Sequence, residues 1–240
     1  MKTVIAFCFS WLLVLGSTSF GAVVVNSGFE DAPDFNGWVT EGLTSIETSA
    51  FGINPTDPTR QALLRTGDGG VGTTGASLAD LATALSIATT DITAVAPNAF
   101  NGSAISQSIA GISAGDTLTF DWNFLTSEGA ANPQDTAFFS ISRVGGTPQT
   151  FFLANPANAT TPFAVGDFSR QTTYNSLTPY QFTEAGSYVL GFGVVNLTDR
   201  FGPSGLLIDK VTLTAVPEPT ALAGLGLLGL TLTIRRRRRG

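Results

Sequence analysis

Along most of the chain, apolar and polar residues alternate in short runs separated by Gly, Pro, Asn and Asp, the pattern of half-buried β-strands joined by turns. In Thr117-Leu118-Thr119-Phe120-Asp121-Trp122-Asn123-Phe124 every second residue is apolar. Tyr188, Leu190, Phe192 and Val194 repeat the period with Val189, Gly191, Gly193 and Val195 between them, so this strand has little polar face. Leu207, Asp209, Val211 and Leu213 form one row near the end, an aspartate set among apolar residues. With 117–126, 187–196 and 206–214, strands are expected at 23–26, 37–41, 45–48, 61–65, 104–109, 137–143, 149–153 and 180–183.

One stretch departs from this period. From Ala76 to Ile87, Leu78, Leu81, Ala82 and Leu85 keep helical spacing and predict one short helix between the early and middle strands. The glycine-rich Gly67 to Gly72 before it lacks the lysine of a phosphate-binding loop and reads as a connection. An irregular excursion is expected over roughly 154–170, which is rich in Asn, Ala, Thr and Pro. The expected fold is all-β, a jelly-roll-like antiparallel β-sandwich with one inserted helix.

Both ends follow other rules. Lys2, an apolar run from Val4 to Leu15, and Ser19 and Gly21 at −3 and −1 of a cut before Ala22 make a secretory signal peptide over 1–21. The sandwich is expected over 22–215. There, 17 acidic residues face six basic ones, a net charge of −11, with no basic cluster, so nucleic acid is excluded as a partner. Cys8, the only cysteine, lies in the leader, and the chain has no histidine. Thiol, Ser-His-Asp and Cys-His chemistry and the common zinc sites are thereby eliminated, which leaves carboxylates, lysine and oxygen-ligand metals.

Over 216–240, Val216-Pro217-Glu218-Pro219 precedes fifteen uncharged residues and then Arg235, Arg236, Arg237, Arg238 and Arg239. As a helix the apolar run spans about 22 Å, short of a hydrocarbon core of about 30 Å, with the arginines as a membrane stop on the cytoplasmic side. This order resembles the PEP-CTERM sorting signal of bacterial exopolysaccharide-associated export. The resemblance implies that Pro217, Glu218 and Pro219 are the motif read by a membrane-embedded exosortase. It also implies that the C-terminal transmembrane sorting helix holds the protein only transiently before the tail is removed. The protein would then lie at the cell surface or outside it.

Val25-Asn26-Ser27-Gly28-Phe29-Glu30 with Phe35-Asn36-Gly37-Trp38, and Leu207-Ile208-Asp209-Lys210-Val211, resemble the opening and closing strands of carbohydrate-binding-module-like jelly rolls. That resemblance implies a structural calcium shared by Glu30 and Asp209, against a plain reading in which Glu30 faces solvent and Asp209 satisfies a backbone turn. A sugar platform needs exposed aromatic faces, and Trp38 and Trp122 are the tryptophans outside the leader. Trp38 is the ligand-binding candidate, although core burial is the commoner fate of such side chains, and Trp122 alternates with Phe120 and Phe124 as a core residue does. Asp121, Glu128 and Asp135 offer carboxylates for glycoside hydrolysis, but no spacing singles out a pair. The leading expectation is a non-enzymatic exported surface or extracellular-matrix protein, with exopolysaccharide or other matrix glycans as partners. A stand-alone carbohydrate-binding module is the alternative, and a carboxylate-dependent glycoside hydrolase the third reading.

Overall fold

The computed structural model of the chain describes residues 21–67, 74–129, 135–197 and 202–216. The leader to residue 20, Pro217, Glu218 and Pro219, the apolar run after them and Arg235 to Arg239 lie outside the described residues. Among the described residues, no single helix is long and apolar enough to cross a membrane.

The first strands are β1 (Val39–Glu41), β2 (Leu43–Thr48), β3 (Arg60–Arg65) and β4 (Ala76–Ser77). Helices α1 (Leu78–Leu85) and α2 (Thr89–Val95) follow, then the long strands β5 (Ala99–Ile112), β6 (Thr117–Thr126) and β7 (Asp135–Arg143). The rest are β8 (Gln149–Ala154), β9 (Thr161–Val165), β10 (Phe168–Gln171), β11 (Asn175–Ser176), β12 (Tyr180–Gln181), β13 (Gly186–Leu197) and β14 (Ser204–Thr214). One sheet runs β1-β5-β13-β7-β8 with β4 also on β5. The other runs β2-β3-β14-β6-β10-β9 with β11 and β12 on β6. All pairings are antiparallel. The result is an antiparallel β-sandwich with two short helices, not one.

Alternation decides which side chains meet between the sheets. Leu118, Phe120 and Phe124 of β6 face Ile105 and Ile109 of β5, Phe139 and Ile141 of β7, and Leu190, Phe192 and Val194 of β13, all buried. Phe192 packs edge-on to Phe120, with ring centroids 4.7 Å apart. The intervening glycines of β13 have a packing reason. A Cβ on Gly191 would sit 2.3 Å from Leu85 Cδ2, and one on Gly193 would sit 2.5 Å from the Phe138 ring. The outer face of this strand lies under α1 and an aromatic ring, so it needs small residues rather than polar ones.

The helical segment divides because its middle is capped on both sides. Ser77 accepts the Asp80 N–H at the start of α1, and Ser86 takes a left-handed conformation at its end. Asp91 then accepts the Ala88 N–H and starts α2. Leu81, Leu85 and Ile92 cover Ala104, Phe138 and Val195 on the outer face of the first sheet. The outer face of the second sheet is covered by Phe51 and Ile53 before β3 and by Phe163 and Phe168 of the β9–β10 hairpin. That hairpin occupies the stretch expected to be irregular; its burial alternates although its composition is turn-like. Residues 23–26, expected as a strand, form none.

The last strand corrects a further expectation. The register shifts between Asp209 and Thr212, Lys210 has φ 51°, and the Val211 N–H leaves the ladder to donate to Ser27 O at 2.9 Å. This bulge turns the strand over. Leu207 and Asp209 face outward, whereas Val211 and Leu213 belong to the core with Leu206 and Ile208.

Candidate functional site

The sandwich leaves one edge open where β8 ends the first sheet and β11 and β12 lie along β6 in the second. A cleft of about 440 Å³ sits between them. Phe151, Phe152 and Leu153 of β8 form one wall. Leu177, Thr178, Pro179 and Tyr180 form the other, while Trp122, Phe139 and Ser176 complete the lining. Phe151 stacks on Phe139 at 4.5 Å with rings 13° apart, and Tyr180 meets Phe151 edge-on at 5.7 Å. The ring ladder continues through Phe182 to Tyr188, so the wall is held from the core outward. Trp122, Phe151 and Tyr180 are partly exposed, and Phe152 is 46% exposed. The Ser176 hydroxyl donates to Asp121. The Trp122 indole N–H and the Tyr180 hydroxyl make no hydrogen bond with another described residue, and burial pushes the Tyr180 pKa upward, Tyr188 adding to it.

Of the two tryptophans, the ligand candidate Trp38 is buried in the core, the commoner fate, and Trp122 is the one that reaches the cleft. Trp38 is 7% exposed and packs between Phe29 (5.3 Å) and Phe192 (6.1 Å), with its indole N–H donating to Asn26 O at 3.2 Å. It seals one end of the core and presents no free face, which corrects its assignment as a ligand platform. Trp122 points between the sheets as its alternation requires, but it does so near the open edge and stays partly exposed. The other aromatic wall residues were not singled out from sequence. The adjacent Phe151-Phe152 was the available signal, because an alternating strand with neighbouring aromatics turns one of them outward.

Glu30 and Asp209 both serve the segment that leads into β3, by separate sets of bonds. Glu30 accepts from the Thr59 N–H (2.9 Å), the Thr59 hydroxyl (2.5 Å) and the Arg60 N–H (2.7 Å). Burial pushes its pKa up, but these bonds and the Arg60 charge outweigh it and leave the carboxyl below its ordinary value. Asp209 is fully buried and accepts from the Thr56 N–H (2.5 Å) and hydroxyl (3.1 Å), the Asp57 N–H (2.9 Å) and its neighbour's Lys210 N–H (2.8 Å). Burial dominates there and pushes its pKa up to about 6. Calcium requires converging oxygen lone pairs. These oxygens instead meet N–H and O–H donors, and no group of three or more His, Cys, Asp or Glu converges among the described residues. The donor set does not fit a shared calcium, and the first and last segments are tied by hydrogen bonds to 56–60.

The remaining carboxylates are dispersed. Asp121 lies on the outer face of the second sheet, while Glu128 and Asp135 are buried beside β6 and β7, where Asp135 accepts from the Thr66 hydroxyl at 3.2 Å. None of the three lines the aromatic cleft. A second groove, about 400 Å³, runs between α1 and the outer face of the first sheet. It is lined by Glu41, Asp80, Val39 and several hydroxyls, without an aromatic ring.

No protein-family model and no curated protein matches the chain. Among solved structures, the carbohydrate-binding module TmCBM61 in complex with β-1,4-galactotriose superimposes with a TM-score of 0.46 at 14% identity, covering 80% of this chain and 97% of that one. The enzymatically active domain of bacteriophage CBA120 tailspike protein 4 gives 0.40 at 13% identity, and the match covers 80% of this chain but 21% of that one. A CBM4 structure gives 0.36 at 12% identity, covering 75% of this chain and 96% of that one. These are distant likenesses of outline, and no ligand or residue role is carried over from them.

Proposed function

We propose that the sandwich is a non-catalytic glycan-binding domain that acts outside the cell, with the open-edge aromatic cleft as its binding site. The observation that carries this reading is the set of partly exposed rings of Trp122, Phe151 and Tyr180 around one cleft. Pyranose rings have apolar C–H faces that pack on such rings. A volume of about 440 Å³ lies within the usual range of small-ligand sites. Phe151 and Tyr180 are held by ring contacts that lead into the core, so little ordering of them is required on binding. Extracellular matrix glycans are the natural partners of a domain that leaves the cell.

The export half of the proposal rests on the leader pattern and on Pro217, Glu218 and Pro219 with the apolar run and Arg235 to Arg239. An exosortase would read the motif while the short helix holds the chain, and removal of the tail would release the domain or fix it at the surface. A glycan array probed with the full chain recovered from producing cells tests the binding half. Retention on at least one neutral glycan, lost on Trp122→Ala with the circular dichroism spectrum unchanged, is expected; absence of any retention refutes the reading. Mass spectrometry of the mature C-terminus tests the sorting half, and a terminus still carrying the arginines overturns it.

A further inference from the structure

The cleft is unusual for a sugar site in what it lacks. Among the described residues, no ionisable carboxylate, arginine, lysine or side-chain amide lines it, and its side-chain polar groups are the Trp122 N–H and the hydroxyls of Ser176, Thr178 and Tyr180. One of these, Ser176, is already engaged with Asp121. A cleft that held a fully hydroxylated sugar deeply would need bidentate partners for neighbouring hydroxyls. Each hydroxyl left without one costs about 1–3 kcal/mol. The indole N–H is a donor only and needs an acceptor. Phe139, Leu153 and Leu177 offer apolar contact and nothing else.

Resting on the glycan-binding reading above, we propose that the cleft selects neutral glycans that carry acetyl groups. O-acetylation removes a hydroxyl donor, and N-acetylation turns a cationic amine into a neutral amide that keeps one N–H; both add a methyl that the apolar lining takes. The acetyl carbonyl oxygen is an acceptor for the unengaged Trp122 N–H or Tyr180 hydroxyl. The net −11 over 22–215 repels polyuronates, whereas a free amine is drawn to the acidic sandwich only by a diffuse field that salt screens, since no carboxylate among the described residues lines the cleft. Esters on oxygen and amides on nitrogen share the methyl and the carbonyl acceptor, and the two polymer pairs below distinguish them.

Affinity electrophoresis of the full chain against matched polymer pairs separates the possibilities. One pair is an O-acetylated glucomannan and the same polymer after mild alkali; the other is soluble chitin oligomers and their de-N-acetylated counterparts. Tighter binding of the acetylated member of either pair by about tenfold or more is expected, the margin that one spared unpaired polar group provides. The pair that shows it identifies the ester or the amide. Tyr180→Phe, which keeps the ring, is expected to narrow the preference, and Trp122→Ala, with the circular dichroism spectrum unchanged, to weaken binding of both members. Equal binding within both pairs, lost on Trp122→Ala, overturns the acetyl preference and leaves the glycan site standing. Binding that survives Trp122→Ala overturns both, and no binding to any of the four polymers by a chain that the glycan array retains overturns the acetyl preference alone.

Discussion

Replacing Asp209 by asparagine is expected to remove a pH step from the stability of the sandwich. The carboxyl is fully buried, and burial lifts its pKa from 3.8 to about 6 against the hydrogen bonds from Asp57, Thr56 and Lys210. The folded value lies above the unfolded one, so the folded state holds the proton more tightly. The corresponding stability is complete below about pH 4 and is lost as the pH rises through about 6. A difference of about two pH units corresponds to about 3 kcal/mol. Asparagine has the same shape, keeps an oxygen for the Thr56 and Asp57 N–H groups, and does not ionise. Relative to the native chain, Asp209→Asn should therefore gain about 3 kcal/mol between pH 4 and pH 7. Urea unfolding of both proteins across that interval measures it, since subtraction cancels titrations common to the two. With a urea slope of about 2–3 kcal/mol/M, the separation of midpoints should change by about 1 M. A separation independent of pH would refute the argument. The same series in millimolar calcium is expected to show the same step, because donors already occupy the Asp209 oxygens. Loss of the step on adding calcium would mean that a cation ionises the carboxyl, and would reinstate the ion shared with Glu30.

Other substitutions separate core from cleft and turn from sheet. Trp38→Ala should cost about 3–5 kcal/mol in denaturant unfolding yet leave glycan retention of the folded fraction intact, the reverse of Trp122→Ala in its effect on binding. Gly102→Ala places a Cβ 2.1 Å from the Val194 carbonyl oxygen and should destabilise by about 3 kcal/mol, read as a lower melting temperature. Ser77→Ala removes the cap of α1 and should cost about 1 kcal/mol in the same assay. Glu184→Ala breaks an exposed pair with Arg143 and should change unfolding free energy by less than about 1 kcal/mol.

The long strands were legible because burial on one face imposes a period of two that local sequence records directly. β6, β7, β13 and β14 lie close to their expected bounds, and the apolar spacing of Leu78, Leu81, Ala82 and Leu85 placed α1. α2 was not foreseen: Thr89-Thr90-Asp91-Ile92 has one buried apolar residue, and its helix is supported by the cap at Asp91 and by packing. The β9–β10 hairpin was hidden for a related reason. Its short strands bury Phe168 against Leu63, Leu125 and Leu207, partners scattered across the chain. Glu30 and Asp209 are expected to share a calcium; each instead binds its own backbone N–H groups and threonine hydroxyl within 56–60, Asp209 also the Lys210 N–H, which no side-chain pattern records.

By itself the sequence determined the β class, the inward rows of the long strands, the acidic charge and the exclusion of cysteine and histidine chemistry. These follow from residue identity and from periodicity along one segment. Tertiary structure decided which aromatic residues are free. Trp38 disappears between Phe29 and Phe192, while Trp122, from a regular alternating row, reaches an edge where β8 and the β11–β12 segment stop short of closing the sandwich. It also turned β14 over at Lys210, placing Asp209 outside the core and Val211 within it. Exposure and register at such points depend on where other strands end, and that is a property of the assembled sheets rather than of any local stretch of chain.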